Sequence, residues 1–125
     1  MNSISLQPEL LELYRLNEFI LDKLKKENLQ VDLIVEEVFV NIVNYSNADF
    51  IKVNAEFEEP TLTIEFIDNG IEFNPILKEN PEAPETIEEA KIGGLGIFLT
   101  KEMADELDYK YINGENHLII IKNVE

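Results

Sequence analysis

The chain has no cysteine, which excludes disulfides and thiolate metal sites and suits a reducing cytoplasm. A single histidine argues against a zinc or histidine-rich metal centre. No run of about 18 apolar residues occurs, so no membrane-spanning helix is indicated. The first residues lack the basic segment followed by an apolar one that marks a secretory leader. Repeats, low-complexity tracts and linkers are absent too, and there is one arginine, Arg15. What remains is 125 residues, 45% hydrophobic and 29% charged. That composition predicts one ordinary globular domain spanning residues 1–125, large enough to bury roughly two thirds of its unfolded surface.

Charge of one sign is the outlier. A formal net charge of −16 repels nucleic acid and anionic membrane, so neither is an expected partner. It attracts a basic protein surface, such as a DNA-binding protein offers. Acidity of this kind also serves solubility alone.

The order of elements follows from periodicity. Residues 3–6 read as a short first strand. Pro8 suits a first helical position, and Leu10, Leu13, Tyr14, Leu21 and Leu24 recur at helical spacing. Lys23, Lys25 and Lys26 close that helix with the sign its C-terminal dipole favours. A second helix is predicted from about Asp32, read as its cap, to about Ser46. Ile51, Val53, Ala55 and Phe57 then alternate with Lys52, Asn54 and Glu56, and Leu62, Ile64 and Phe66 alternate after Glu59-Pro60, a strand hairpin. Residues 75–92 hold three prolines and five glutamates with little periodicity, a lid-like segment. A third helix is predicted after Gly96, with Phe98, Leu99, Met103 and Leu107 as its apolar positions. Residues 109–112, the turn Asn113-Gly114 and residues 118–122 make a closing hairpin. This order predicts an α+β fold, a two-layer sandwich with helices on one face of a mostly antiparallel mixed sheet.

Three segments carry chemistry. On the second helix, Glu37, Asn41 and Asn44 fall within about 60° of one another at i, i+4 and i+7. A carboxylate and an amide oxygen one turn apart can hold a hard cation or orient a nucleophile beside one. Such a stripe also reads as a solvated helix face, although two asparagines are poor helix formers for that purpose. Next, Asp68-Asn69-Gly70 follows a strand. Glycine permits a sharp reversal there, and an aspartate at a strand end can accept a hydrogen bond from an adenine amino group. The same tripeptide makes an ordinary turn. Last, Gly93-Gly94-Leu95-Gly96 opens the third helix, where backbone N–H groups and the helix dipole suit an anion. It is neither a Walker A loop nor a dinucleotide fingerprint.

The E-x3-N helix, the D-x-G after a strand, the acidic lid and the G-x-G at a helix start together resemble the N, G1 and G2 boxes of the GHKL superfamily, whose domains have the Bergerat ATP-binding fold. Within it, the chain length, Asp68-Asn69-Gly70 with Phe73-Asn74-Pro75, and Gly93-Gly94-Leu95-Gly96-Ile97 are similar to anti-sigma-factor serine kinases of the RsbW type. The resemblance implies ATP and Mg2+ as ligands. Glu37 would be the general base for an attacking hydroxyl, and Asn41 would ligate Mg2+, with Asn44 beside it. Asp68 would hold the adenine amino group, with Gly70 letting the base approach the backbone. Gly93, Gly94, Leu95 and Gly96 would wrap the phosphates. The implied substrate is a serine on an antagonist protein, the competing partner is a sigma factor, and Arg15 matches the arginine that the family places at its partner surface. Pairing of Arg15 with Glu12 and Glu18 is the competing expectation.

The chain departs from that pattern at three places. Tyr45 stands where histidine is frequent, and the lid offers Lys91 or Lys78 in place of an arginine for the γ-phosphate, with only point-charge geometry. The threonine usual near the last strand is absent, and Asn116 or His117 occupies its neighbourhood. His117 is otherwise expected to be solvated. These departures bear on kinase activity more than on nucleotide binding. Three functions therefore stand side by side: an anti-sigma serine kinase in partner switching, a non-catalytic nucleotide-sensitive binding module, and a detached ATPase domain of another GHKL protein such as a histidine kinase. A cytoplasmic location is expected, and homodimerisation is left open by the resemblance.

Overall fold

A computed structural model of the chain describes residues 2–72, 100 and 102–124. The order is β1 (Ser3–Leu6), a 3-10 turn (Leu10–Glu12), α1 (Leu13–Leu24), α2 (Leu29–Tyr45), β2 (Ile51–Glu58), β3 (Thr61–Asp68), β4 (Glu106–Ile112) and β5 (Glu115–Asn123). The strands form one sheet in the order β1-β2-β3-β5-β4. Each of its four pairings is antiparallel, so the parallel component expected of a mixed sheet is not found among the described residues. The predicted α+β sandwich is the architecture observed.

The period-2 pattern explains which sheet face is covered. Ile51, Val53 and Ala55 of β2, Leu62, Ile64 and Phe66 of β3, and Leu118 and Ile120 of β5 are buried, and form one core with the helices. Helix α2 buries six apolar side chains, Val31, Ile34, Val35, Val38, Phe39 and Ile42. At about 1.5–3 kcal/mol each, that burial far outweighs the roughly 1 kcal/mol of a helix cap. Packing, more than propensity, holds this helix.

Three sequence expectations shift. The cap of α2 is Asn28, whose side chain accepts from the Val31 N–H at 3.0 Å. The helix therefore begins a turn before Asp32, which lies inside its first turn. Helix α1 turns Leu16, Ile20 and Leu24 to the core, leaving Leu10, Tyr14 and Leu21 exposed beside Leu11. Two apolar stripes compete on this helix, and the stripe spaced by four along the axis wins the sheet. Leu107, assigned to the third helix, pairs instead with Ile120 in β4, because the closing hairpin runs three residues further back than its aromatic segment suggests. Thr100, Glu102 and Met103 are helical; the earlier part of the predicted third helix lies outside the described residues. At the hairpin turn Asn113 (φ 53) and Gly114 (φ 79) both take positive φ, as a two-residue turn between twisted strands requires.

Candidate functional site

The end of β3 is where the topology concentrates polar groups. Strand β5 enters the sheet between β3 and β4, which sets Asp68 directly opposite Asn116. Asp68 is only 4% exposed. Its Oδ1 accepts from the Gly70 N–H at 2.9 Å and from Asn116 Nδ2 at 3.1 Å. The Asn116 amide also donates to the Ile71 carbonyl at 2.9 Å, and its Oδ1 accepts from the Tyr109 hydroxyl. No described residue donates to Asp68 Oδ2. Burial pushes the Asp68 carboxyl above its ordinary range, while the Gly70 N–H, the Asn116 amide and the nearby His117 pull it back in part. A buried carboxylate normally satisfies both oxygens. Here one oxygen is held by two protein donors and the other meets none among the described residues.

The neighbours of Asp68 fasten this strand end to α2. A Cβ on Gly70 would lie 2.2 Å from the Ser46 carbonyl oxygen, and that oxygen accepts the Ile71 N–H at 2.8 Å. Gly70 does not take a positive φ, so close approach to the helix end, rather than a sharp reversal, demands glycine here. Asn69 ties the loop between α2 and β2, accepting from the Asp49 N–H at 2.8 Å and donating to the Asp49 carboxylate at 3.1 Å. The tripeptide thus divides its labour: Asp68 faces the site, Asn69 pins a loop, and Gly70 docks on the helix.

Along α2 the stripe is as the spacing requires. Glu37 and Asn41 are half-buried and Asn44 is exposed, next to the buried Val38, Phe39 and Ile42. None of the three side chains makes a hydrogen bond or ion pair with a described residue. At about 1.5 Å rise per residue, Asn41 stands roughly 7 Å and Glu37 roughly 13 Å along the axis from Ser46, the residue docked on Gly70. One rigid helix therefore relates the carboxylate of Asp68 to a second carboxylate and an amide further along. Among the described residues no three His, Asp or Glu side chains converge as a metal site. The Glu37 carboxylate and the Asn41 amide, one turn apart on α2, are oxygen donors of the kind Mg2+ takes, one or two at a time, with phosphates and water completing its shell. Lys78, Lys91, Gly93, Gly94, Leu95 and Gly96 lie outside the described residues.

A family model described as "Histidine kinase-like ATPase domain" matches residues 8–122. The chain belongs to this family. No curated protein sequence matches it significantly. Among solved structures it is similar to the Acinetobacter baumannii histidine kinase AdeS, with a TM-score of 0.55 and 12% identity over 100% of this chain and 68% of that one. It is also similar to the catalytic domain of histidine kinase ThkA, with a TM-score of 0.53 and 14% identity over 99% of both chains. At these identities the likeness establishes a shared fold. No helix among the described residues is long and apolar enough to cross a membrane.

Arg15 pairs with Glu12, Nη1 to Oε2 at 2.8 Å, and no pairing with Glu18 is formed. Its side chain stays 56% exposed, in a surface that also presents Leu10, Leu11 and Tyr14. His117 is not solvated. Its side chain is 18% exposed, with Nδ1 3.1 Å from Glu65 Oε2 and Nε2 3.7 Å from Glu115 Oε1. Cross-strand register brings Glu65 of β3 to it, while Glu115 lies two residues before it on β5; a lone histidine at a strand start does not reveal the first of these. Sequence reasoning left Asn116 as one of two stand-ins for a threonine and missed Tyr109 altogether. The Tyr-x-x-x-x-x-x-Asn relation across a hairpin turn becomes visible only once the register is known.

Proposed function

We propose that the chain binds ATP with Mg2+, transfers its γ-phosphoryl group to a serine of an antagonist protein, and sequesters a sigma factor in partner switching. The observation that carries the nucleotide part is the open oxygen of buried Asp68, fastened through Gly70 to the helix that bears Glu37 and Asn41. In this reading Asp68 Oδ2 accepts the adenine amino group and thereby selects the base. Asn41 is the residue that would hold Mg2+, which when bound neutralises charge on the phosphates. Glu37 takes the proton of the serine hydroxyl as its oxygen bonds to the γ-phosphorus, and the bond to the β-phosphate oxygen breaks to release ADP. The glycines at 93, 94 and 96, Leu95 and Lys91 are proposed for the phosphates.

Partner binding is supported by a different face. Leu10 (53%), Leu11 (77%) and Tyr14 (73%) are exposed around Arg15, and clustered apolar exposure next to a charge suits a protein interface. The net charge of −16 favours a basic partner such as a sigma factor. The cytoplasm is the compartment this role requires.

The similarity to histidine kinase catalytic domains favours a second reading, phosphoryl transfer to a histidine of another domain or protein. Labelled ATP distinguishes the two, because phosphoserine survives acid whereas phosphohistidine does not. Acid-stable label on a co-encoded antagonist, lost in Glu37→Gln with nucleotide affinity kept, is the expected result. General-base removal typically lowers the rate about 10²–10⁴-fold. Binding without any transfer would reduce the role to a nucleotide-sensitive binding module, and transfer that survives Glu37→Gln would remove Glu37 as the base.

A further inference from the structure

We propose that Asn116, held in one amide orientation by Tyr109, is a positioning residue for the nucleotide base: it occupies Asp68 Oδ1, so that Oδ2 is presented as a pure acceptor to the adenine amino group. The inference deepens the nucleotide-binding reading and rests on it. Its basis is the side-chain relay Tyr109 to Asn116 to Asp68 that the β4–β5 and β3–β5 registers create.

An asparagine amide has one acceptor end and one donor end, and either can face a neighbour. Turned the wrong way, Asn116 would set its oxygen against the Asp68 carboxylate. Tyr109 donates to Asn116 Oδ1, and the carbonyl of Ile71 takes an Nδ2 hydrogen at 2.9 Å. Both contacts select the orientation in which the other Nδ2 hydrogen meets Asp68 Oδ1 at 3.1 Å. The same oxygen holds the Gly70 N–H, so both internal donors load one side of the carboxylate.

The groups around Asp68 make this brace consequential. From β2 it faces Ile51, which is fully buried and apolar, and α2 contributes the neutral Ser46 at Gly70. From β4 comes the Tyr109 phenol, reached through Asn116, and from β5 come Asn116 itself and the charge of His117 when protonated. Burial favours the protonated acid. The Asn116 donor is one of the few groups opposing it. A protonated Asp68 would present an O–H and donate to a purine carbonyl such as O6 of hypoxanthine, so the brace sets base selectivity as well as affinity.

The test uses the full chain, with ATP and inosine triphosphate as probes, in wild type, Asn116→Ala and Tyr109→Phe. Nuclear magnetic resonance of the Asp68 carboxyl carbon follows its titration without nucleotide, and calorimetry gives both affinities across the acid to neutral range. The expected result is a higher Asp68 titration midpoint in Asn116→Ala and a smaller rise in Tyr109→Phe. ATP affinity should fall about ten- to a hundredfold in Asn116→Ala, the effect of losing a hydrogen bond to a charged group. The preference for ATP over inosine triphosphate should shrink as pH falls, earlier in the variants than in wild type. A merely structural asparagine would leave midpoint and preference where they are. If Asn116→Ala does not fold, Tyr109→Phe, which removes one oxygen, carries the test. Wild-type midpoint and base preference in the folded variants overturn the inference while leaving nucleotide binding intact. Absence of ATP binding by the wild type overturns the functional reading, and this one with it.

Discussion

Gly70→Ala is the most direct perturbation of the link between Asp68 and α2. The added Cβ would sit 2.2 Å from the Ser46 carbonyl oxygen and 2.8 Å from its carbonyl carbon. Both are backbone atoms, so no rotamer change relieves the contact. The gap has to open by about 1 Å, the difference between 2.2 Å and the 3.4 Å at which ordinary contact begins. Ile71 N–H donates to that same oxygen at 2.8 Å, and a further 1 Å takes it beyond hydrogen-bond range. Overpacking costs about 1–3 kcal/mol, and an orphaned part-buried donor adds about 1 kcal/mol or more. The sum, roughly 2–4 kcal/mol, corresponds to a melting temperature lower by roughly 8–16 °C for a domain of this size. Movement of Asp68 away from the Asn41 helix by the same distance should also diminish the stabilisation that ATP and Mg2+ confer. Circular dichroism melts with and without MgATP measure both effects. Gly114→Ala is the matched comparison, because its Cβ meets nothing within 4 Å and only its φ of +79 is strained. It should cost about 1–2 kcal/mol and leave the ATP response unchanged. A Gly70→Ala protein that melts with wild type and responds equally to MgATP would refute the claim that glycine is required for this contact.

Further outcomes follow from the same structure. Asp68→Asn should abolish most ATP and ADP affinity together and yet raise the melting temperature of the nucleotide-free protein near neutral pH. Its raised carboxyl pKa makes the folded state bind the proton more tightly than the unfolded one, so its favourable contribution is present below the ordinary aspartate range and lost as pH rises through the folded value; the stabilisation by asparagine should vanish in acid melts. Phe39→Ala removes a fully buried ring of α2 and should cost about 3–5 kcal/mol in urea unfolding, with the m-value unchanged if the fold is kept. Leu11→Asp, at a position 77% exposed beside Arg15, should leave stability and ATP affinity at wild-type levels while weakening capture of the proposed sigma-factor partner, read by surface plasmon resonance; equal capture would take that surface out of the proposed partner binding.

Local pattern was enough for much of this protein. Alternation in residues 51–57 and 62–66 marked both strands and their buried face, because a strand exposes every second side chain and only one sheet face is covered. The spacing of Glu37, Asn41 and Asn44 placed them on one side of a helix, since 3.6 residues per turn allows nothing else. Asp68-Asn69-Gly70 stood out by composition and position. Choices between faces and between distant segments were a different matter. On α1 two apolar stripes were available, and only packing on the sheet selected Leu16, Ile20 and Leu24 over Leu10, Tyr14 and Leu21. The reason for Gly70 is a helix end 24 residues earlier in the chain, at Ser46, and no local reading contains that contact. Asn116 reaches Asp68 because β5 inserts between β3 and β4, a crossover that adjacency in sequence does not specify. Long-range register decided the chemistry at the strand end: it buried a carboxylate, brought it a donor from β5 that β4 holds in place, and left its second oxygen without a donor among the described residues.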